Sequence, residues 1–157
     1  MSDAGEACPL PTPKKRGEQE AISAMLQAKR IAVVGMTPQP SRAGHYVPAF
    51  LRSRGREIVP VTPTYTEVDG LKSYPTLRDV PGHIDVVLVF RRPEFCPQIA
   101  EEAAEVHASG LWLQSGIYNQ EAKRIAEQAG MNFLQGRCMM VEMATYARSS
   151  HSQTPST

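Results

Sequence analysis

Apolar positions along the chain recur in two alternating patterns. Ile22, Met25 and Leu26 repeat at helical spacing, and the unbroken apolar run 31–34 that follows is closed by Gly35. The first pattern predicts one face of a helix and the second a buried strand. Val47, Phe50 and Leu51 give a second helical face ending at Gly55, and 58–61 is the next strand. Pro48 fits that helix only in its first turn, which places the helix start near Gly44 or His45. An irregular stretch over 65–81 leads into a strand over 85–90. After Pro93, the positions Phe95, Ile99, Ala103 and Val106 mark a third helix, and 111–114 a fourth strand. Ala122, Ile125, Ala126 and Ala129 form a fourth helical face capped by Gly130, and 131–134 is a fifth strand.

Apolar strands alternating with longer amphipathic helices predict a parallel sheet buried on both faces, because each crossover helix covers one of them. The expected fold is α/β: a doubly wound, Rossmann-like five-stranded parallel sheet with helices on both faces, in a single domain. At 157 residues, 41% of them hydrophobic, the chain is long enough for one such core. The working domain is expected over 17–147. The proline-bearing segment 1–16 and the polar tail 148–157 look too poor in apolar residues to repay ordering, and are expected to be disordered and flexible.

Net charge is +1, so no global field draws the chain to nucleic acid or to an anionic membrane, and any anion site must be local. Cys8, Cys96 and Cys138 are odd in number and lack CxxC spacing or nearby histidine pairs, which argues against a disulfide framework or a zinc site. No apolar run reaches membrane-spanning or signal-peptide length, so a cytoplasmic location is expected.

In doubly wound sheets ligands bind beyond the carboxyl ends of the strands, where the strand order reverses. Here the first strand is followed by Gly35-Met36-Thr37-Pro38-Gln39-Pro40-Ser41-Arg42. A GxGxxG fingerprint begun at Gly35 would need glycines where Thr37 and Pro40 stand, and the second strand ends in Val61-Thr62-Pro63-Thr64 with no acidic residue for a ribose hydroxyl. An NAD(P)-dependent oxidoreductase is therefore the alternative reading. Thr37, Ser41 and Arg42 beside a helix start suit a phosphate, and Phe90, Arg91 and Arg92 put an aromatic and two guanidiniums at the same sheet edge. Singly, each arginine reads equally well as a solvated surface residue, and Thr37 and Ser41 as turn or capping residues; their joint placement favours the anion site. Gln114 and Gly116 end the fourth strand, and Arg137 with Cys138 follows the fifth.

These strand-end segments, taken in order, resemble the small coenzyme A-binding domain family, whose fold is similar to the amino-terminal domain of the succinyl-CoA synthetase alpha subunit. The resemblance spans about 22–146. It rests on Ile31-Ala32-Val33-Val34-Gly35 with Pro40-Ser41-Arg42, on Ile58-Val59-Pro60-Val61-Thr62-Pro63, on 85–90 with Arg91 and Arg92, on Trp112-Leu113-Gln114-Ser115-Gly116-Ile117, and on Arg137-Cys138-Met139-Met140-Val141-Glu142. It implies a free-standing domain that binds coenzyme A or an acyl-CoA. The resemblance puts Gly35, Thr37, Ser41 and Arg42 at the phosphates and Phe90 with Arg91 beside the nucleotide; the expected cofactor-binding set also takes in Met36, Thr62, Pro63, Arg92, Gln114, Gly116 and Arg137. The family often has a lysine where this chain has Thr64, so Arg42, Arg91 or Arg92 would have to hold the ribose 3′-phosphate.

No catalytic set accompanies these residues. Of the histidines only His45 lies near the expected site, and Glu101, Glu102 and Glu105 read as the wet face of a helix. The expected function is coenzyme A binding without chemistry of its own and without a metal, with redox pairing of Cys138 and the coenzyme thiol as a further alternative. Neither nucleic acid nor membrane is an expected partner. A homodimer and a partner enzyme both remain open.

Overall fold

In the computed structural model, which describes the backbone of residues 11–153 and the side chains of residues 17–146, the run over 31–34 becomes the second strand of a five-stranded sheet. This strand, β1 (Arg30–Val34), pairs in parallel with β2 (Glu57–Val61) on one side and with β5 (Val86–Val89) on the other. The strands β6 (Gly110–Leu113) and β7 (Asn132–Leu134) extend it, giving the order β2-β1-β5-β6-β7 with every pairing parallel. Strand order reverses between β1 and β5. The expected doubly wound sheet is found.

Successive side chains of each strand enter opposite cores. Ala32, Val34, Val87, Val89, Leu111 and Leu113 pack under α3 (Cys96–Glu105) and α4 (Gln120–Gln128). Ile31, Val33, Val86, Leu88 and Trp112 pack under α1 (Pro11–Leu26), α2 (Ala43–Ser53) and α5 (Met139–Gln153). Strands buried on both faces carry no polar alternation, which is why they read as continuous apolar runs. Below the sheet, the Asp85 carboxylate accepts from the Lys29 and Arg30 N–H groups at 3.1 and 2.9 Å and ties the starts of β1 and β5 together.

Three parts differ from expectation. The stretch over 65–81 is not structureless: β3 (Glu67–Val68) and β4 (Leu71–Lys72) make a hairpin, and a 3₁₀ turn follows at Leu77–Asp79. Helical backbone begins at Pro11, inside the segment expected to be disordered. Prolines are tolerated there because the first N–H groups of a helix have no intrahelical partner. At the other end α5 continues to Gln153, into the expected tail, because Met139 and Met143 anchor one face of it and no proline interrupts it before Pro155. The remainder of the two terminal expectations, together with Cys8, lies outside the described residues.

No described helix is long and apolar enough to cross a membrane.

Candidate functional site

The reversal of strand order opens a cleft of about 860 Å³ at the carboxyl ends of β1, β2 and β5. Gly35 forms its floor. With φ of 91° this residue adopts a conformation that side chains disfavour, and a Cβ there would lie 3.1 Å from both the Phe90 carbonyl oxygen and the Arg91 Cδ. Only glycine lets the two strand ends approach this closely.

One wall is the loop after β1 together with the start of α2. That helix begins at Ala43, so Pro48 falls in its second turn rather than in the first. A proline there leaves the Gly44 carbonyl without its usual i+4 donor. The vacancy is filled from the loop: Thr37 N–H donates to the Gly44 carbonyl at 3.3 Å. The proline thus fastens the loop to the helix, and the Thr37 hydroxyl holds the Gln39 N–H at 3.3 Å. No side chain caps α2, whose first amides, on Ala43 and Gly44, stand at the cleft. Uncapped amides at a positive helix end are suited to an anion.

The other walls come from β2 and β5. Thr62 is buried, and its carbonyl accepts from the Ser73 hydroxyl at 3.3 Å, which ties the hairpin connection to the rim. Thr62, Pro63, Thr64 and Tyr65 line one side, and half-buried Phe90 and Arg91 line the other. The Arg91 guanidinium stacks 4.2 Å from the Phe95 ring centroid. Neither Arg42 nor Arg91 pairs with a carboxylate among the described residues, and no aspartate or glutamate among them lines the cleft.

Of the site residues expected from sequence, Gly35, Met36, Thr37, Ser41, Arg42, Thr62, Pro63, Phe90 and Arg91 gather here. Met36 is buried in the core behind the loop. Arg92, with its side chain 81% exposed, turns away toward Glu94. Gln114, Gly116 and Arg137 lie outside this cleft, farther along the carboxyl edge. Gln114 is buried, and its amide oxygen accepts the Met139 N–H at 2.9 Å; Arg137 lies 3.3 Å from Glu142. Gln39, Ala43, Gly44, Thr64 and Tyr65 also line the cleft and lie outside the set expected from sequence. The signal for Tyr65 was an aromatic directly after a strand-end turn.

Residues considered for chemistry are engaged elsewhere. His45 points at the hairpin, its Nε2 2.8 Å from the Asp69 carboxylate. Cys96 is buried at the start of α3, where desolvation pushes its thiol up to about 11 despite the nearby Arg91 charge, so it stays protonated at neutral pH. Cys138 packs against the core under α1, α2 and α5 and does not line the cleft.

Comparison with known proteins adds four findings. The family model described as a CoA binding domain matches residues 29–144. The protein YneT of Bacillus subtilis is 40% identical over 124 residues, covering 78% of this chain and 92% of that one. Among solved structures, a Pyrococcus horikoshii protein superposes with a TM-score of 0.78 at 35% identity, over 82% of this chain and 90% of that one. More distantly, the ADP-forming acetate–CoA ligase II alpha subunit of Pyrococcus furiosus is 28% identical over 74% of this chain, which spans only 28% of that subunit. With the family model matching well over half of its length, this chain belongs to the CoA-binding domain family.

Proposed function

We propose that the cleft between β1, β2 and β5 binds coenzyme A or an acyl-CoA by its nucleotide end. The pyrophosphate would lie at the amides that open α2, with Ser41 and Arg42 beside it, and the adenosine against Phe90 and Arg91. The observation that carries this reading is the pair of arginines without carboxylate partners facing an uncapped helix terminus in one cleft. Cations left unneutralised beside free amides lower the cost of burying a polyphosphate. Because Arg92 faces Glu94, the ribose 3′-phosphate that lacks a lysine at Thr64 would fall to Arg42 or Arg91.

The same reading makes this a binding module rather than an enzyme. It is supported by the absence of a paired nucleophile and base among the residues lining the cleft, and by relatives of nearly this domain's length in Bacillus subtilis and Pyrococcus horikoshii. Its acyl-CoA would then be handed to or received from a separate enzyme, and the likeness to part of acetate–CoA ligases suggests the class of chemistry involved.

Thermal denaturation with coenzyme A, dephospho-coenzyme A, NADH and NADPH compared side by side tests the ligand, since preferential binding to the folded state raises its stability. Coenzyme A should stabilise most and dephospho-coenzyme A less. Stabilisation by NADPH in preference to coenzyme A would overturn the reading in favour of an oxidoreductase.

A further inference from the structure

The two edges of the sheet are finished differently. Outside β2 the chain covers its own edge: Tyr74 bridges Val61, its N–H donates to the Pro60 carbonyl at 3.1 Å, and its carbonyl accepts from Thr62 at 2.8 Å. Outside β7 no strand pairs among the described residues. An uncovered edge presents a row of backbone donors and acceptors ready for another strand.

The register shows which groups are free. Asn132 N–H donates to the Ser109 carbonyl at 3.0 Å, so Asn132 and Leu134 direct their backbone groups toward β6. Between them Phe133 turns its N–H and C=O outward, and neither has a partner among the described residues. In an antiparallel pair, two residues directly opposite exchange both of their backbone hydrogen bonds. Phe133 placed opposite its own copy across a two-fold axis satisfies all four groups at once.

The surroundings of β7 are self-complementary in charge as well. A groove of about 650 Å³ runs along this edge between α1 and α4, with Gly17, the exposed Glu18 and Ala21 on one wall and Lys123 and Glu127 on the other. Lys123 is half-buried, yet neither it nor Glu127 forms an ion pair among the described residues, although they lie four apart on one helix. Two copies of α4 meeting antiparallel across the same axis bring each Lys123 toward Glu127 of the partner subunit, on the face of the sheet opposite α1.

We propose that β7 is a dimerisation edge, two copies of this chain pairing antiparallel at Phe133 into one continuous ten-stranded sheet, with reciprocal Lys123 to Glu127 contacts between the α4 helices. The proposal is independent of what the cleft binds, since the cleft lies at the other end of the sheet order.

Sedimentation equilibrium of the full chain tests it. The wild type should run at twice its 17.3 kDa at about 100 µM, a concentration at which even a micromolar dimer is assembled. Lys123→Glu sets like charges opposite each other and should weaken the dimer about tenfold, and adding Glu127→Lys should restore it. Phe133→Pro removes the outward N–H at an edge position, where proline leaves the pairing with β6 intact, and should yield a folded monomer by circular dichroism. A wild-type monomer overturns the proposal. If deletion of residues 1–10 turns such a monomer into a dimer, the groove belongs to the chain's own amino-terminal segment. A dimer indifferent to both Lys123→Glu and Phe133→Pro overturns it equally.

Discussion

The carboxyl edge of the sheet has two halves built from similar residues, and they use them differently. At the ends of β1, β2 and β5 the polar groups are left over: α2 has no side-chain cap, and Arg42 and Arg91 have no acidic partner among the described residues. At the ends of β6 and β7 they are consumed. Gln114 accepts from Met139 N–H, Trp112 Nε1 donates to the Arg137 carbonyl at 2.8 Å, and Arg137 meets Glu142. Asn119 caps α4 by accepting the Ala122 N–H and also donates to the Pro93 carbonyl at 2.9 Å. A buried polar group finds a partner inside the fold or outside it. The first half leaves groups over for the ligand proposed above, and the second is satisfied by its own chain.

The largest effect that would sharpen this contrast is the loss of both free cations. In Arg42→Ala/Arg91→Ala, affinity for coenzyme A measured by calorimetry should fall by roughly a hundredfold or more, since hydrogen bonds to charged groups contribute about 1.5–3 kcal/mol each. Stability without ligand should fall by no more than about 1 kcal/mol, because neither guanidinium neutralises a carboxylate among the described residues and only the stacking of Arg91 on Phe95 is lost. A double variant that unfolds more readily yet binds as before would erase the distinction between the halves.

Gln114→Leu should show the reverse pattern. It leaves the buried Met139 N–H without an acceptor, which costs about 1–3 kcal/mol of stability in chemical denaturation. Coenzyme A affinity of the folded fraction should stay within about threefold of wild type, a change of under about 1 kcal/mol. A selective loss of affinity in this variant would move Gln114 from the satisfied half to the ligand-facing one.

Why the two halves looked alike in the sequence follows from what was not legible there. The strands and four of the helices were readable because burial on both faces leaves uninterrupted apolar runs between amphipathic ones. From that topology alone Gly35, Thr37, Ser41, Arg42, Phe90 and Arg91 fall at the reversal point, and the structure gathers them there. The helix α5 lies outside the four expected helices, although Met139, Met143 and Tyr146 recur at helical spacing. That one omission explains Gln114 and Arg137: without α5 there is no Met139 amide to cap and no Glu142 on the same side, so both residues looked free. The β3–β4 hairpin was missed for a different reason. Its strands are two residues long, too short for periodicity, and the usable signal was the turn pair Asp69-Gly70, with φ of 54° and 76°. The start of α2 lies farther from Pro48 than a proline alone allows, because the Thr37 N–H occupies the carbonyl that Pro48 frees.

The smallest expected effect concerns Arg137, and it is the most discriminating because arginine is the residue type on which the two halves can be compared directly. Its guanidinium lies at the surface, 3.3 Å from a partly exposed Glu142 within the same stretch of chain. Exposed pairs of this kind contribute about 0–1 kcal/mol, since solvent screens them and two long side chains must be ordered. Arg137→Ala should therefore shift the denaturation midpoint only slightly and leave coenzyme A affinity unchanged, whereas Arg91→Ala, the same substitution at the end of β5, should cost affinity about tenfold or more. Salt separates the two further. Affinity of the wild type should decline with ionic strength as the arginines of the cleft are screened, and the Arg137→Ala variant should follow the same slope. A shallower slope in Arg137→Ala would mean that this arginine too reaches the bound anion, so that the ligand crosses the whole carboxyl edge and Glu142 merely holds its cation until the phosphates arrive.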